Sequence, residues 1–586
     1  MNTIEPKKEF YFKSGSKVMN YIRHFSMTEK TIFGILVAIA GITAFLMIIE
    51  VSNLFMITIP RDGGSLREGM VGLPHMINPV LAITDVDRDI SSLVYSGLMK
   101  YSGKDLVTDI AESYNISDDG LTYTFKLRPK IYFHDGAELT TADIAYTIQK
   151  VQNVALKSPR RADWNNVTVN VISSREIQFV LKQAYSPFIT NTTLGILPKH
   201  IWNNISDDQF VFSDYNIQPI GSGPYYVKSV SKDNGGIPTE YNLAVSKKYY
   251  KKRAHIDNIT FVFFSDEEKA FLALEKGNIE SIASLSPEQA KKLDTQLFNL
   301  IKTPLPRIFG VFFNQNSNPI LAEKTVRQAL DLSVNRQDII NNALHGFGSA
   351  IDGPLPFDNS VSTNKKSNIE LAKSILEKSG WVKNASTGVY EKKGPKNTLQ
   401  VLTFDLMTAD TEDLKLTAQI LKDSWTKLGA KVEVKIFDPS ELYQNIIRPR
   451  KYDALLFGQL IGKDRDLYAF WHSSQRNAPG LNVAMYTNSK ADTILDFIRT
   501  NGDQKINQEK YKEFEKIIKN DVPAIFIYAP DFIYVLPKTI KNSLVDNFDA
   551  TKIISNITNP LDRWNSVTDW YINTEKVWKI FKSNEQ

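Results

Sequence analysis

Cysteine is absent from all 586 residues. That removes disulfide staples, thiolate nucleophiles, cysteine–zinc sites and any lipid carried on a cysteine. Histidine is scarce too: the seven are scattered, and no spacing suggests a multi-histidine metal site. No strong excess of either charge exists, with 70 basic and 65 acidic residues giving +5. Six basic and three acidic groups within residues 1–30 supply more than half of that. The remainder is nearly neutral, so nothing argues for a nucleic-acid partner. The motifs of catalysis are missing: no His-Glu-x-x-His, no Gly-x-Ser-x-Gly elbow, no Walker phosphate loop. Gly221-Ser222-Gly223 and Gly346-Phe347-Gly348 each lack the third glycine of a dinucleotide fingerprint. Asp85, Asp87 and Asp89 imitate a calcium loop, but its sixth position is Ile90 and its twelfth Ser96. His134 beside Asp135 reads as a turn rather than a dyad. The expectation is a protein that is not an enzyme and holds no cofactor or metal.

A long apolar run is present. Thr31 to Ile49 carries no charge over a length of roughly 28 Å as a helix, which matches a bilayer core. Lys7, Lys8, Lys13, Lys17, Arg23 and Lys30 precede it, so the positive-inside rule puts residues 1–30 in the cytoplasm and the rest outside. An uncleaved anchor is preferred over a signal peptide cut near Ala38-Ile39-Ala40, because the apolar run continues unbroken and the basic tail is long. Beyond a linker at 50–63, a composition that is 42% hydrophobic indicates a folded body, and its length calls for more than one core.

The body alternates helix and strand patterns as an α/β protein does. Asp109 to Ile148 reads as a β-β-α unit. Leu121, Tyr123, Phe125 and Leu127 alternate with polar residues, Ile131–Phe133 gives a second strand, and Thr140 to Asp143 caps a helix. Ser367-Asn368-Ile369-Glu370 is a capping box ahead of a helix ended by Gly380. Leu414, Ala418, Leu421, Trp425 and Leu428 form a helical stripe up to Gly429, and Val432, Val434 and Ile436 form a strand. Tyr452–Phe457 is a buried strand, and helix 505–519 precedes a strand at 524–528.

The stretch DGLTYTFKLR…FHDG…LTTADI, followed by Gly221 to Tyr225, Glu275 to Glu280, Val326 to Leu330 and Ala372 to Trp381, resembles the extracytoplasmic solute-binding proteins of ABC importers, family 5. Those proteins bind oligopeptides and dipeptides. The resemblance implies a two-lobed periplasmic-binding-protein-like fold of the large class, with an inserted subdomain. By analogy lobe I comprises 64–107, 200–303 and 521–586, the subdomain 108–199, and lobe II 304–520. A hinge is expected near 303–314 and 519–524.

The resemblance also implies a site. The loop after strand 452–457 matches the family segment whose aspartate meets the ligand's α-amino group. Asp464 is the better match and Asp466 the second, although the usual Asp-Pro is Asp464-Arg465 here. Tyr468, Trp471 and Tyr225 are candidate aromatic walls, and Asn314 matches a position on the hinge strand. No cation for the ligand carboxylate stands out among Arg448, Arg450 and Arg465. The expected partners are a short peptide, ABC permease subunits and the bilayer, with the protein a monomer. Other solutes (nickel chelates, oligosaccharides), a secreted hydrolase and a ligand sensor are the alternatives.

Overall fold

The structure, a computed structural model, describes residues 22, 24–103, 105–355, 366–394, 398–462, 466–543 and 559–578, without the side chains of 52–54 and 504. The apolar run forms helix α1 (Met27–Phe55). Its span Met27–Val51 is long and apolar enough to cross a membrane, and its side chains are exposed. The linker expected at 50–63 is instead the end of α1 followed by strand β1 (Met56–Arg61). β1 pairs antiparallel with Asn573–Trp578, so those C-terminal residues leave lobe I, where the sequence placed them. α1 and this ribbon form one unit, and Asp62–Ile572 forms the other.

Within the body, one twelve-stranded sheet runs through both lobes. Its strands in chain order are β2 (Ser65–Val71), β3 (Tyr225–Lys232), β4 (Pro238–Val245), β5 (Asn258–Phe264), β6 (Ser281–Ala283) and β7 (Phe298–Pro304). Next come β8 (Arg307–Phe313), β9 (Gly348–Ala350), β10 (Thr403–Ala409), β11 (Lys431–Phe437), β12 (Ala454–Leu460) and β13 (Ala524–Pro537). The spatial order is β11-β10-β12-β8-β13-β6-β2-β5-β4-β3, with β7 and β9 also paired to β13. Strand β13 serves both lobes. Ala524 to Tyr528 pair with β8, whereas Asp531 to Pro537 pair with β7. Between these ladders the Leu305 amide donates to the Pro530 carbonyl at 2.9 Å.

The apolar cores divide accordingly. Ile308 through Ala529 build one core. Leu66 through Leu305, with Phe532 through Trp570, build another, and a small third core packs Phe271, Leu274 and Leu285 against Ile533 and Val535. The chain therefore crosses between lobes at 305–308 and 529–532; the second crossing lies later than the sequence placed it. The subdomain sheet is antiparallel, in the order 111–116, 122–127, 176–180, 168–173. Tyr123, Phe125 and Leu127 face inward as their alternation requires, in a core continuous with that of lobe I. Ile131–Phe133, expected as a strand, makes only the bridge Tyr132–Glu138; the neighbours of 122–127 are 111–116 and 176–180. Helix α2 (Asp85–Val94) absorbs the aspartates that imitate a calcium loop. Asp87 closes a capping box with Thr84, and Asp89 is buried. Helix α3 (Thr141–Gln152) starts where the sequence placed its N-cap, and Thr140 and Asp143 close a capping box there. Asn368, rather than Ser367, caps helix 369–378 through the Leu371 amide.

The charge of Arg563 is buried in lobe I and paired twice. Its guanidinium donates to Glu68 Oε1 at 2.7 Å and to Asp89 Oδ2 at 2.7 Å. The Tyr534 hydroxyl donates to Glu68 Oε2 at 2.7 Å. One cation thus ties β2, α2, β13 and the 560–569 turn together. Two carboxylates share it and both are removed from water, so burial pushes Asp89 up to about 6 against the pull of Arg563.

Candidate functional site

Of the six residues expected at the site, five are placed by their own contacts. Tyr225 is fully buried in lobe I, its hydroxyl donating to the Ile256 carbonyl at 2.9 Å, so it lines no cavity. Trp471 is likewise core, with Phe312, Phe526 and Tyr486 around its indole. A core needs large aromatic side chains as much as a ligand wall does, so residue type alone misassigned both. Asn314 is buried beneath the site: its amide donates to the Arg450 carbonyl at 2.9 Å, and its oxygen accepts from the Asn316 amide. Asp466 accepts from the Tyr468 amide at 3.0 Å and pairs with Arg499 Nε at 3.2 Å. Its charge is therefore already met. Tyr468 stacks on His472, with ring centres 4.1 Å apart, and carries the Arg499 guanidinium over its ring at 4.3 Å. Asp464 and Arg465 lie outside the described residues.

Arg499 also bridges the two halves of the body. It sits on α5 (Ser489–Thr500), beyond α4 (Glu412–Leu428), in lobe II. Its carbonyl accepts from the Ser186 amide of the subdomain at 3.1 Å, and its guanidinium lies 5.3 Å from the Tyr185 ring centre. Aromatic faces on both sides of a guanidinium form a compact cation–π clasp.

A cavity of about 450 Å³ opens beside this loop, at the carboxyl end of β12. Its walls come from a π-helical turn (Leu442–Ile447), the end of β12 and the loop 478–483. Ile447, Phe457, Leu460, Phe470, Leu481 and Val483 make it largely apolar. Arg450 holds the walls together. Its backbone is left-handed, with φ of 59°, and its guanidinium donates to the carbonyls of Ile447, Arg476 and Gly480 at 2.8, 3.0 and 2.6 Å. All that hydrogen bonding is to neutral acceptors, so its positive charge stays uncompensated. Arg448 adds a second, exposed cation, and among the described residues no Asp or Glu lines the cavity.

Gln459 is the unusual wall residue. It is only 3% exposed, and neither its amide nitrogen nor its amide oxygen has a partner. Buried polar atoms are nearly always paired, so a whole carboxamide left unmet on a cavity wall marks a place for a solute. The sequence holds the signal, because Gln459 is a polar residue at the end of an apolar strand. Ending that strand at Phe457 hid it.

Lobe I has its own cavity, of about 270 Å³, at the carboxyl end of β2. Asp85, Arg88, Asp89, Glu267 and Arg563 line it, and each has an ionic or hydrogen-bonded partner there. Elsewhere, His134 is held by the glycine loop. Nδ1 accepts from the Gly221 amide at 3.2 Å, which leaves Nε2–H to donate to the Gly223 carbonyl at 3.0 Å. Burial lowers its pKa to about 4, and it stays neutral. Asp135 binds His200 instead, at 2.6 Å, so His134 and Asp135 form no dyad. Among the described residues no group of His, Asp and Glu converges as a metal site.

Two α/β lobes joined by crossing strands, with a lobe II cavity where a parallel pair ends, are the architecture of a two-lobed solute-binding protein. The family of bacterial extracellular solute-binding proteins, family 5 (middle region), matches residues 105–479, and the chain belongs to it. The oligopeptide-binding protein AppA of Bacillus subtilis is 27% identical over 499 residues, covering 82% of this chain and 89% of AppA. The crystal structure of the ABC transporter substrate-binding protein CtaP of Listeria monocytogenes superposes with a TM-score of 0.72 at 25% identity, over 87% of this chain and 100% of CtaP. That of Bacillus subtilis AppA in complex with a nonapeptide gives 0.64 at 25% identity, over 88% and 100%.

Proposed function

We propose that this protein is a membrane-tethered receptor that captures short peptides outside the cytoplasm and presents them to the permease of an ABC importer. The lobe II cavity carries the reading, because among the described residues it combines apolar walls, one unmet carboxamide and two cations. An extended peptide supplies what each lacks: apolar side chains, main-chain amides and a terminal carboxylate. AppA, with its bound nonapeptide, supports the same solute class. The ammonium partner is Asp464, as the resemblance implies. The basic residues before α1 orient it with the N-terminus inside, and the body acts as a monomer without turning its solute over. Micromolar capture needs only about −8 kcal/mol, which a few main-chain bonds and one or two charge pairs supply after entropy costs.

Calorimetry of the full chain in detergent with di- to nonapeptides tests this proposal. Saturable heat, with the peptide recovered intact, is the expected result. Silence with every peptide alongside a response to nickel chelates or oligosaccharides would replace the solute class and leave the receptor standing. Asp464→Asn should weaken peptides with a free amine and leave N-acetylated ones unchanged.

A further inference from the structure

We infer that Gln459 selects the solute by pairing with one uncharged amide group, so that the lobe II cavity accepts an apolar peptide residue and refuses a cationic one. The inference rests on the peptide reading above and adds what the cavity discriminates. A primary carboxamide offers two N–H donors and an acceptor oxygen. A solute carboxylate could satisfy only the nitrogen, and an ammonium only the oxygen. The side chain of Asn or Gln, or the N–H and C=O that one extended peptide residue presents on the same edge, satisfies both at once.

The surroundings sharpen the choice. Gln459 lies opposite Ile308 in the β8–β12 ladder, near Phe457 and Leu460, so no neighbouring polar side chain competes for it. The charges facing the cavity are those of Arg448 and Arg450, both positive. A lysine or arginine side chain entering here would be desolvated beside two like charges, with no carboxylate among the described lining residues to meet it. A phenylalanine or leucine side chain loses nothing on entry and gains contact with apolar walls. At about 450 Å³ the cavity holds such a side chain together with its flanking peptide group. Selectivity then has two parts: an acceptor–donor pair at Gln459 that only an amide completes, and the field of Arg448 and Arg450 that repels cations.

The test uses the full chain as wild type, Gln459→Leu and Gln459→Glu. It measures thermal unfolding without solute and dissociation constants for Ala-Phe-Ala, Ala-Lys-Ala and Ala-Glu-Ala. Wild type should bind Ala-Phe-Ala at least tenfold tighter than Ala-Lys-Ala. Gln459→Leu removes an unmet polar group, so it should unfold at the same or a higher temperature while binding Ala-Phe-Ala at least tenfold more weakly. A core-filling glutamine would not separate those two readouts. Gln459→Glu should shift the preference between Ala-Phe-Ala and Ala-Lys-Ala at least tenfold toward lysine. Unchanged affinity in Gln459→Leu, with peptides still bound by wild type, overturns this inference alone. Silence of wild type toward all three peptides overturns the peptide reading and this inference with it.

Discussion

Each lobe ends a strand on a cavity, yet the two cavities treat polar groups in opposite ways. In lobe I the charges around β2 are met: Arg563 takes Glu68 and Asp89, and Tyr534 completes Glu68. In lobe II the carboxamide of Gln459 has no hydrogen-bond partner on its apolar wall, while Arg450 spends its hydrogen bonds on neutral carbonyls. A polar group that the fold itself satisfies holds elements together, while one that the fold leaves unmet awaits a solute. Position at a strand end does not separate the two; the state of the hydrogen bonds does.

The comparison breaks most severely at Arg563. Arg563→Met should strand two buried carboxylates and cost on the order of 3–5 kcal/mol, read as a lower unfolding temperature of the full chain. Removing a lobe II cation should do the reverse, sparing the fold and weakening capture. Arg448→Ala is expected to bind peptides with a free carboxylate about tenfold less tightly, a loss of about 1.4 kcal/mol. C-terminally amidated peptides should not notice the change. Arg499→Ala should open the clasp between Tyr185 and Tyr468 and speed peptide release a few-fold in stopped-flow measurements, an effect on the order of 1 kcal/mol. An unchanged release rate would mean that closure does not depend on the clasp.

The lobe I side of the comparison also predicts a pH slope. The folded-state pKa of Asp89, about 6, stands above its ordinary value, so the folded protein takes up this proton more readily than the unfolded chain. Its contribution must therefore favour the fold as pH falls from about 6 toward 4, and its full penalty applies above 6. Unfolding temperatures from pH 4 to 7, taken as wild type minus Asp89→Asn, should show that slope. A flat difference would mean that Asp89 stays ionised in the fold.

Much of this fold was legible because local chemistry and burial agree. The alternation from Leu121 to Leu127, the Thr140–Asp143 cap and Gly429 after the stripe 414–428 all appear where the sequence puts them. Partners distant in sequence were not legible. β1 finds its neighbour more than five hundred residues later, and nothing within Met56–Arg61 encodes that. Strand β13 runs through Pro530 and Asp531, which read locally as a stop, because two separate ladders hold it on either side. The segment after β12 borders the lobe II cavity through Phe470. Candidate side chains had to be sorted into wall and core: Trp471 and, in lobe I, Tyr225 pack inward, Asp466 is occupied by Arg499, and Gln459 of β12 lines the cavity. That sorting depends on packing from both lobes, which no short window of sequence contains.

Strand β13 also sets the order in which the protein can be finished. Lobe II lacks the centre of its sheet until residues 524–529 are present, and lobe I waits for 532–540 and 564–570. A chain emerging from its N-terminus therefore has no completed lobe until its last tenth arrives. For a family that works outside the cell, this delay keeps most of the polypeptide threadable while it crosses the membrane, and folding becomes decisive only on the far side.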